Sequence, residues 1–306
     1  CLVCGEIVDS SLEICPVCGV GKEHFIPADA EENTFFNDTK EYYVILGNGT
    51  AGLNAAKAIR QRDKTGTVIM ISNEAYPAYN RPMLTKSMLA SLTPEQIAVE
   101  TESWYEANNI YQILGRTAVS VDTKKSEVIL DDGSQIHFTR LIYALGSECF
   151  IPPIPGRDRE QVIAIRRIQD VEKISSLLKT SKTAVVIGGG VLGLEAAWEL
   201  KKAGLSVTVL EAAPMLMGRQ LDATAGSILE EISRRNGISI HTGVSITSID
   251  GDETGAVSGV SLSSGEVLPA DLVIVSAGVR ANTALAQEMG LKTEKAVIVN
   301  SRMETG

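Results

Sequence analysis

The chain contains no run of about eighteen apolar residues, so no part of it is expected to cross a bilayer as a helix. It also lacks surplus positive charge: 28 Lys and Arg stand against 38 Asp and Glu, a net of −10. Contacts to phosphate backbones need excess positive charge, so this balance argues against nucleic acid as a partner and gives no reason to expect a membrane surface. Histidine is scarce, and the three present match no H-E-x-x-H spacing, which leaves them loop and surface roles. Glycine (27) and proline (10) are too few for a collagen-like or low-complexity chain. With 44% hydrophobic and 22% charged residues over 306 positions, the balance is that of a globular protein of two or three domains. No signal peptide is expected ahead of the cysteine pairs. The chain opens on Cys1 and ends in a strand-then-loop pattern from Ala296 to Gly306, so a fragment at both ends is expected.

Cysteine is concentrated rather than absent. Four of five fall in the first eighteen positions, as Cys1, Cys4, Cys15 and Cys18. Two C-x-x-C pairs this close fit a metal site better than a disulfide framework. Gly5 and Gly19 follow the second cysteine of each pair and allow a tight turn with backbone N–H groups aimed at sulfur. Four thiolates suit Zn²⁺ or a mononuclear iron. Ligand type alone leaves both a structural zinc ribbon and an iron redox centre open. Thiolates that must stay reduced imply a reducing compartment, and the cytoplasm is expected. Cys149 stands alone and is expected to be a partly buried structural thiol, because a reactive one needs an exposed electropositive setting.

The predicted organisation is a Cys4 unit (1–28), a polar, mostly acidic linker (29–41) and two dinucleotide-binding units. The segment YYVILGNGTAGLNAAKAIRQRD is an apolar strand, a glycine turn and a helix, followed by the strand TVIMIS. TAVVIGGGVLGLEAAWELKKAG and SVTVLE repeat the pattern. Gly47, Gly49 and Gly52 match Gly188, Gly190 and Gly193 at a constant offset of 141. Two βαβ units in one register predict α/β architecture with parallel sheets. Between them SEVILDDGSQIHF carries an Asp-Gly hairpin signal. Beyond the second unit, DLVIVSAG and AVIVN are predicted strands, with NTALAQEMG helical between them.

Each glycine turn follows a strand and opens a helix, the context in which G-x-G-x-x-G binds a dinucleotide. In the first, Gly47 makes the turn, Gly49 lets a pyrophosphate approach the backbone, and Gly52 lets the helix sit close to the sheet. Asn48, Thr50 and Ala51 complete this cradle. Glu74, 22 residues past Gly52, is the candidate for the ribose hydroxyls. In the second turn Val191 and Leu192 lie between Gly190 and Gly193, and Glu211 closes the next strand. A carboxylate there accepts from the 2′- and 3′-hydroxyls and repels a 2′-phosphate. Ala212, Ala213 and Pro214 follow it, with no Arg or Lys placed for a 2′-phosphate, which favours NAD(H) over NADP(H); Arg219, further on, counts the other way.

From Tyr42 onward the chain resembles the FAD-dependent pyridine nucleotide-disulfide oxidoreductase superfamily, and within it the group of NADH-rubredoxin reductases and nitrite reductase large subunits. YNRPMLTK (79–86) is similar to that group's Y-x-R-P-x-L-S-K loop. LIYALGS is similar to its A-T-G motif with Leu145 for Thr, and GVRANTALA to G-x-R-P-N-T-x-L-A with Ala281 for Pro. CLVCGEIVD and CPVCGVGKEHF resemble the two knuckles of rubredoxins, with a shorter intervening loop and Glu6 in place of an aromatic. The resemblance implies FAD on the first fingerprint and NADH on the second. It implies an FAD-binding domain over 42–156 and 278–306 with an NAD-binding domain over 157–277 between them. Arg81 and Pro82 would line the flavin nucleotide, and Lys86 would approach the isoalloxazine. Ala144, Gly146 and Gly278 would border the cofactors, and Glu195 would sit near the nicotinamide. Cys1, Cys4, Cys15 and Cys18 would hold iron. A second Gly-Asp motif and a dimerising domain are implied beyond Gly306, with a homodimer as the association.

Disulfide reductases of that superfamily carry a C-x4-C in the helix after the first fingerprint, and this chain has none. With no thiol relay, reduced flavin would pass electrons outward. The expected route runs from NADH through FAD to the rubredoxin-like iron and then to an external redox protein. The alternatives are the front end of a nitrite reductase, an NADH oxidase, or a redox-sensing flavoprotein with a zinc ribbon.

Overall fold

The architecture is seen in a computed structural model, which describes residues 8–9, 11–17, 19–25, 38–90 and 92–305. Of the four predicted metal ligands only Cys15 is among them; Cys1, Cys4 and Cys18 lie outside the described residues, as does most of the predicted linker. Around Cys15 the chain doubles back. The Lys22 N–H donates to the Glu13 carbonyl at 3.0 Å, the Cys15 N–H to Val20 at 2.8 Å, and the Gly19 N–H to Cys15 at 2.9 Å. Cys15 is buried, while Ile14 and Val17 are exposed on either side of it.

The first half runs β1 (Tyr42–Leu46), α1 (Thr50–Arg62), β2 (Thr67–Ser72), α2 (Met83–Ala90), α3 (Pro94–Ile97), α4 (Glu102–Ala107) and β3 (Ile110–Leu114). An antiparallel meander of β4 (Ala118–Asp122), β5 (Glu127–Leu130) and β6 (Gln135–His137) follows, and then β7 (Arg140–Tyr143). Strands order as β3-β2-β1-β7, all parallel. Val44, Ile45 and Leu46 have no exposed surface, as expected of a central parallel strand covered on both faces. The Asp-Gly signal does make the β5–β6 hairpin, with Gly133 at φ +83°.

The second half opens with β8 (Ser147–Cys149), β9 (Val162–Ile163), α5 (Ile168–Leu177), β10 (Thr183–Ile187), α6 (Val191–Lys202), β11 (Ser206–Glu211), α7 (Ala223–Arg235) and β12 (Ile238–Thr242). A second meander, β13 (Ile246–Gly251), β14 (Val257–Leu262) and β15 (Val267–Pro269), leads to β16 (Leu272–Val275). The parallel order here is β12-β11-β10-β16-β9. Finally β17 (Val279–Ala281) pairs antiparallel with β8, and α8 (Ala284–Glu288) returns Leu285 to the core of the first half, beside Val44, Leu46 and Ile71. No described helix is long and apolar enough to cross a membrane. The predicted strand AVIVN does not form: Val297 makes a single bridge to Thr293, and Ile298 and Val299 are exposed. No described strand lies alongside to pair with it, and β-propensity without a partner is insufficient.

The two halves share a core. Tyr79, Leu84, Met88 and Ile97 of the first half join one cluster with Ile168, Ile174, Val186, Ala197 and Leu200 of the second. Helix α2 therefore packs on α5 and α6, although sequence order assigns it to the flavin segment.

At the other end of the first sheet Asp63 ties down the start of the domain. Its carboxylate accepts from the N–H groups of Thr39 (3.3 Å), Thr65 (3.1 Å) and Gly66 (2.9 Å), from the Tyr43 hydroxyl (3.0 Å) and from the Thr39 hydroxyl. Burial by itself would raise its pKa, but the hydroxyl and N–H donors outweigh burial and hold it well below the usual carboxylate range. A carboxylate of depressed pKa contributes stability above the unfolded value near 3.9, and that contribution is lost as pH falls through the folded value. Asp63→Asn should therefore cost about 1–3 kcal/mol in urea unfolding at pH 7, with the gap to wild type narrowing below about pH 4.

Candidate dinucleotide-binding site

The repeat seen in the sequence holds at the level of single hydrogen bonds. The Gly47 N–H donates to Ile71 at 2.8 Å and the Gly188 N–H to Leu210 at 2.8 Å. Leu53 donates to Gly49 (2.9 Å) as Leu194 does to Gly190 (3.0 Å), and Ala144 donates to Leu46 (2.8 Å) as Ser276 does to Ile187 (2.7 Å). The three glycines of each turn answer to three different demands. Gly47 and Gly188 have φ of +107° and +117°, and a side chain there would meet the carbonyl oxygens of Ala144 and Ser276 at 2.1 and 2.3 Å. A Cβ on Gly52 or Gly193 would lie 2.0 Å from the Gly47 or Gly188 carbonyl oxygen. Gly49 and Gly190 are different. Their backbones are extended, at φ −95° and −82°, and a Cβ on either would meet nothing within 4 Å. Nothing within the described chain demands glycine at these two positions, whereas a close-lying phosphate does.

The helix ends agree. Helices α3, α4 and α7 carry side-chain caps from Thr93, Thr101 and Asp222. Helices α1 and α6 have glycine N-caps, no side-chain cap and no acidic residue in the first turn. Their first N–H groups and the positive end of the helix dipole are left to an anion.

A cavity of about 780 Å³ opens over the first turn, within the range of cofactor sites. It is lined by Gly47, Asn48, Gly49, Thr50 and Ala51, by Ser72 to Glu74, and by Tyr143, Ala144, Gly146, Arg166, Asn282 and Thr283. Asn48 is buried. Its Nδ2 donates to Gln112 Oε1 at 3.0 Å, while its Oδ1 has no partner. An unpaired buried acceptor in a cavity wall is costly unless a ligand donor meets it. A second cavity of about 230 Å³ lies between Arg81, Pro82 and Thr85 on one side and Leu192, Ser276, Gly278 and Val279 on the other. Arg81 and Arg166 line both cavities, so the two meet there. The larger cavity fits one dinucleotide over the first turn, whereas of the second turn only Leu192 reaches a cavity wall, that of the smaller one.

The remaining predicted residues fall into place unevenly. Glu211 ends β11, its Oε2 accepting from the Gly189 N–H at 2.6 Å and its Oε1 from Ala213 at 2.7 Å. The strand register makes Ser72, not Glu74, its counterpart: Ser72 ends β2, and Arg116 donates to its carbonyl as Val244 does to that of Glu211. Glu74 lies two residues beyond and is nearly buried. It accepts from Tyr79 Oη at 2.5 Å and from Arg81 Nη2. Arg81 also donates through Nη1 to the Arg166 carbonyl at 2.7 Å. Burial would lower the Arg81 pKa, but the bond to Glu74 turns the shift upward. Lys86 is exposed on α2 and lines neither cavity. Its neighbour Thr85 is buried and donates to Glu195 Oε2 at 2.9 Å. Val191 is exposed in the first turn of α6. Cys149 lines the second cavity, with burial pushing its thiol pKa up against the opposing pull of Arg166. Such a thiol is a poor nucleophile.

Several cavity residues were not singled out from the sequence. Arg166 donates to Ser147 Oγ at 3.1 Å, and Arg167 to Glu148 Oε1 at 2.5 Å. The signal was available as an Arg-Arg pair at the start of a helix whose third residue is Asp170, which accepts from both their N–H groups. Asn282, inside the quoted GVRANTALA segment, donates through Nδ2 to the Leu145 carbonyl at 2.8 Å.

Comparison with known proteins decides the family. The profile of the pyridine nucleotide-disulphide oxidoreductases matches residues 42–306, and that of the rubredoxin-like domain of rubrerythrin matches residues 1–26. The chain belongs to the pyridine nucleotide-disulphide oxidoreductase family. It is 39% identical over 267 residues to nitrite reductase [NAD(P)H] of Bacillus subtilis, covering 87% of this chain and 33% of that enzyme. It is 36% identical over 263 residues to rubredoxin-NAD(+) reductase of Pseudomonas putida, covering 86% and 68%. The ferredoxin reductase for the CYP199A2 system of Rhodopseudomonas palustris superposes with a TM-score of 0.83 at 30% identity, over 87% of this chain and 65% of that one. The chain thus spans about a third of the Bacillus enzyme. As in the sequence reading, it is an FAD- and NAD-type oxidoreductase fold with a rubredoxin-like segment ahead of it.

In this family member Gly49→Ala should fold with stability equal to or slightly above wild type, since Ala fits the extended backbone and meets no neighbour. It should hold FAD at least about tenfold more weakly, because the methyl group occupies the diphosphate's place. Thermal unfolding of the apoprotein together with flavin titration checks both parts.

Proposed function

We propose that the chain is the flavin- and nicotinamide-binding part of an NADH-dependent electron-transfer reductase. The observation that carries this reading is the pair of glycine turns whose middle residues, Gly49 and Gly190, answer to no neighbour in the chain, Gly49 on the wall of a cavity that shares Arg81 and Arg166 with a smaller one. The uncapped N–H groups of α1 bind the FAD diphosphate, and those of α6 bind the NADH diphosphate. Asn48 offers Oδ1 as an acceptor. Arg81, fixed by Glu74 and by the Arg166 carbonyl, presents positive charge where the cavities join. Pro82, Leu192 and Val279 give the smaller cavity an apolar wall. The chemistry that FAD would supply there is acceptance of a hydride's two electrons and their release one at a time. The protonated Cys149 thiol stands aside from that route.

Cys1, Cys4, Cys15 and Cys18 would hold iron, which supplies one-electron capacity; the buried Cys15 and the tight turn closed by Gly19 suit one knuckle of such a site. The acceptor beyond it is a redox protein of the rubredoxin or ferredoxin kind, in keeping with the names of the Pseudomonas and Rhodopseudomonas relatives. The second reading, the front section of a longer nitrite reductase, is favoured by the 39% identity to the Bacillus enzyme.

The test is an anaerobic visible spectrum of the full-length protein before and after stoichiometric NADH. A ferric-thiolate absorption over the flavin bands, both bleaching, is the expected result. Flavin bands that bleach alone would mean zinc in the Cys4 unit and rule out the built-in relay. Nucleotide choice gives a separate check. Glu211→Ala should cut the preference for NADH over NADPH at least about tenfold in steady-state kcat/KM, because it removes the carboxylate that accepts from the ribose hydroxyls and repels a 2′-phosphate.

A further inference from the structure

The two glycine turns are copies in backbone but not in the side chains set between turn and strand. The offset of 141 that relates their glycines pairs Asn48 with Gly189, and the strand register pairs Ser72 with Glu211. In the second turn the polar side chain comes from the strand end: Glu211 Oε2 accepts from the Gly189 N–H at 2.6 Å. Glycine makes room for it, because a Cβ on Gly189 would lie 3.1 Å from both Cβ and Oε2 of Glu211. In the first turn the strand end is short. Ser72 Oγ accepts from the Glu74 N–H at 3.1 Å, and the Glu74 carboxylate is engaged by Tyr79 and Arg81. With no carboxylate crowding it, the first turn can carry a side chain, and it carries Asn48. Asn48 is 6% exposed, and both it and Ser72 line the larger cavity. Its Nδ2 donates at 3.0 Å to Oε1 of Gln112 on β3. That bond fixes which way the amide faces and leaves Oδ1 as a buried acceptor without a partner. Such an acceptor calls for a donor from a ligand. The diphosphate expected beside Gly49 offers none, since its oxygens only accept. The adenosine ribose, which this fold places at the end of the second strand, offers two hydroxyls.

We propose that in the first unit the acceptor for the adenosine ribose of FAD has moved from the strand to the turn: Asn48 Oδ1 accepts a hydrogen bond from a ribose hydroxyl, and Gln112 is the positioning residue that holds the amide in that orientation. The proposal rests on the reading of the first glycine turn as the FAD site.

The experiment reconstitutes the full-length protein, stripped of flavin, with FAD and with analogues of FAD that carry 2′-deoxyadenosine or 3′-deoxyadenosine, and reads affinity by flavin fluorescence titration. Wild type should bind at least one analogue about tenfold more weakly than FAD, the scale of a hydrogen bond whose buried acceptor is left unmet. Asn48→Ala should bind FAD and that analogue within about twofold of each other. Gln112→Leu should lose most of the discrimination, and Gln112→Glu, which still accepts from Asn48 Nδ2, should keep it. A role of Gln112 in folding alone would weaken FAD and its analogues together and leave their ratio unchanged. Wild type that binds FAD and both analogues alike overturns the proposal. Asn48→Ala that discriminates as wild type does overturns it too, and unchanged discrimination in Gln112→Leu overturns the positioning role. Wild-type protein that binds none of the three flavins overturns the FAD reading itself.

Discussion

The close approach of a helix to the end of the strand before it governs the rest of this molecule. At Gly52 and Gly193 the helix passes so near the preceding turn that a single methyl group would sit 2.0 Å from a carbonyl oxygen. That spacing lets α1 and α6 begin directly over the carboxyl ends of β1 and β10. It aims their free N–H groups at the place where the parallel strands leave a crevice. A helix held farther out would present the same charge to solvent, where it is screened. The affinity for anions therefore begins as a steric property of two residues that have no side chain.

Around this geometry the chain builds a seam rather than a hinge. Buried Glu74 and Tyr79 and the half-buried Arg81 form a hydrogen-bonded set, and Arg81 carries it across to the Arg166 carbonyl. Buried ionic groups such as these are tolerable only when each is paired, and here the pairing also fixes which residues border both cavities. The apolar side of the same seam is α2, whose Leu84 and Met88 pack among residues of α5 and α6. Polar and apolar contacts thus hold the two nucleotide crevices in one mutual orientation.

The repeated turns could be read from the sequence because glycine is demanded there by backbone and packing constraints that recur at a fixed offset. Their hydrogen bonds repeat in the same way. Counting forward to the next acidic residue worked less well. The loop after β2 is built differently from the loop after β11, so the count reached Glu74 where the register has Ser72. Lys86 and Thr85 illustrate a second limit. Adjacent positions on a short helix point to different sides, and only packing against α6 decides which one faces inward. The Arg166-Arg167 pair ahead of Asp170 marks a helix start but not a cavity wall; that role comes from Ser147 and Glu148, nearly twenty residues away in sequence. AVIVN had strand composition, but composition cannot supply a neighbouring strand.

The position of α2 has a consequence for recombination between relatives. A nicotinamide-binding module cut at the sequence boundary near residue 157 would leave Leu84 and Met88 behind, and with them part of the surface on which Ile174, Ala197 and Leu200 close. Exchanging that module between family members means carrying a discontinuous piece, residues 76–97 together with the later segment. The unit that packs as one body around the second crevice is therefore two stretches of chain, not one.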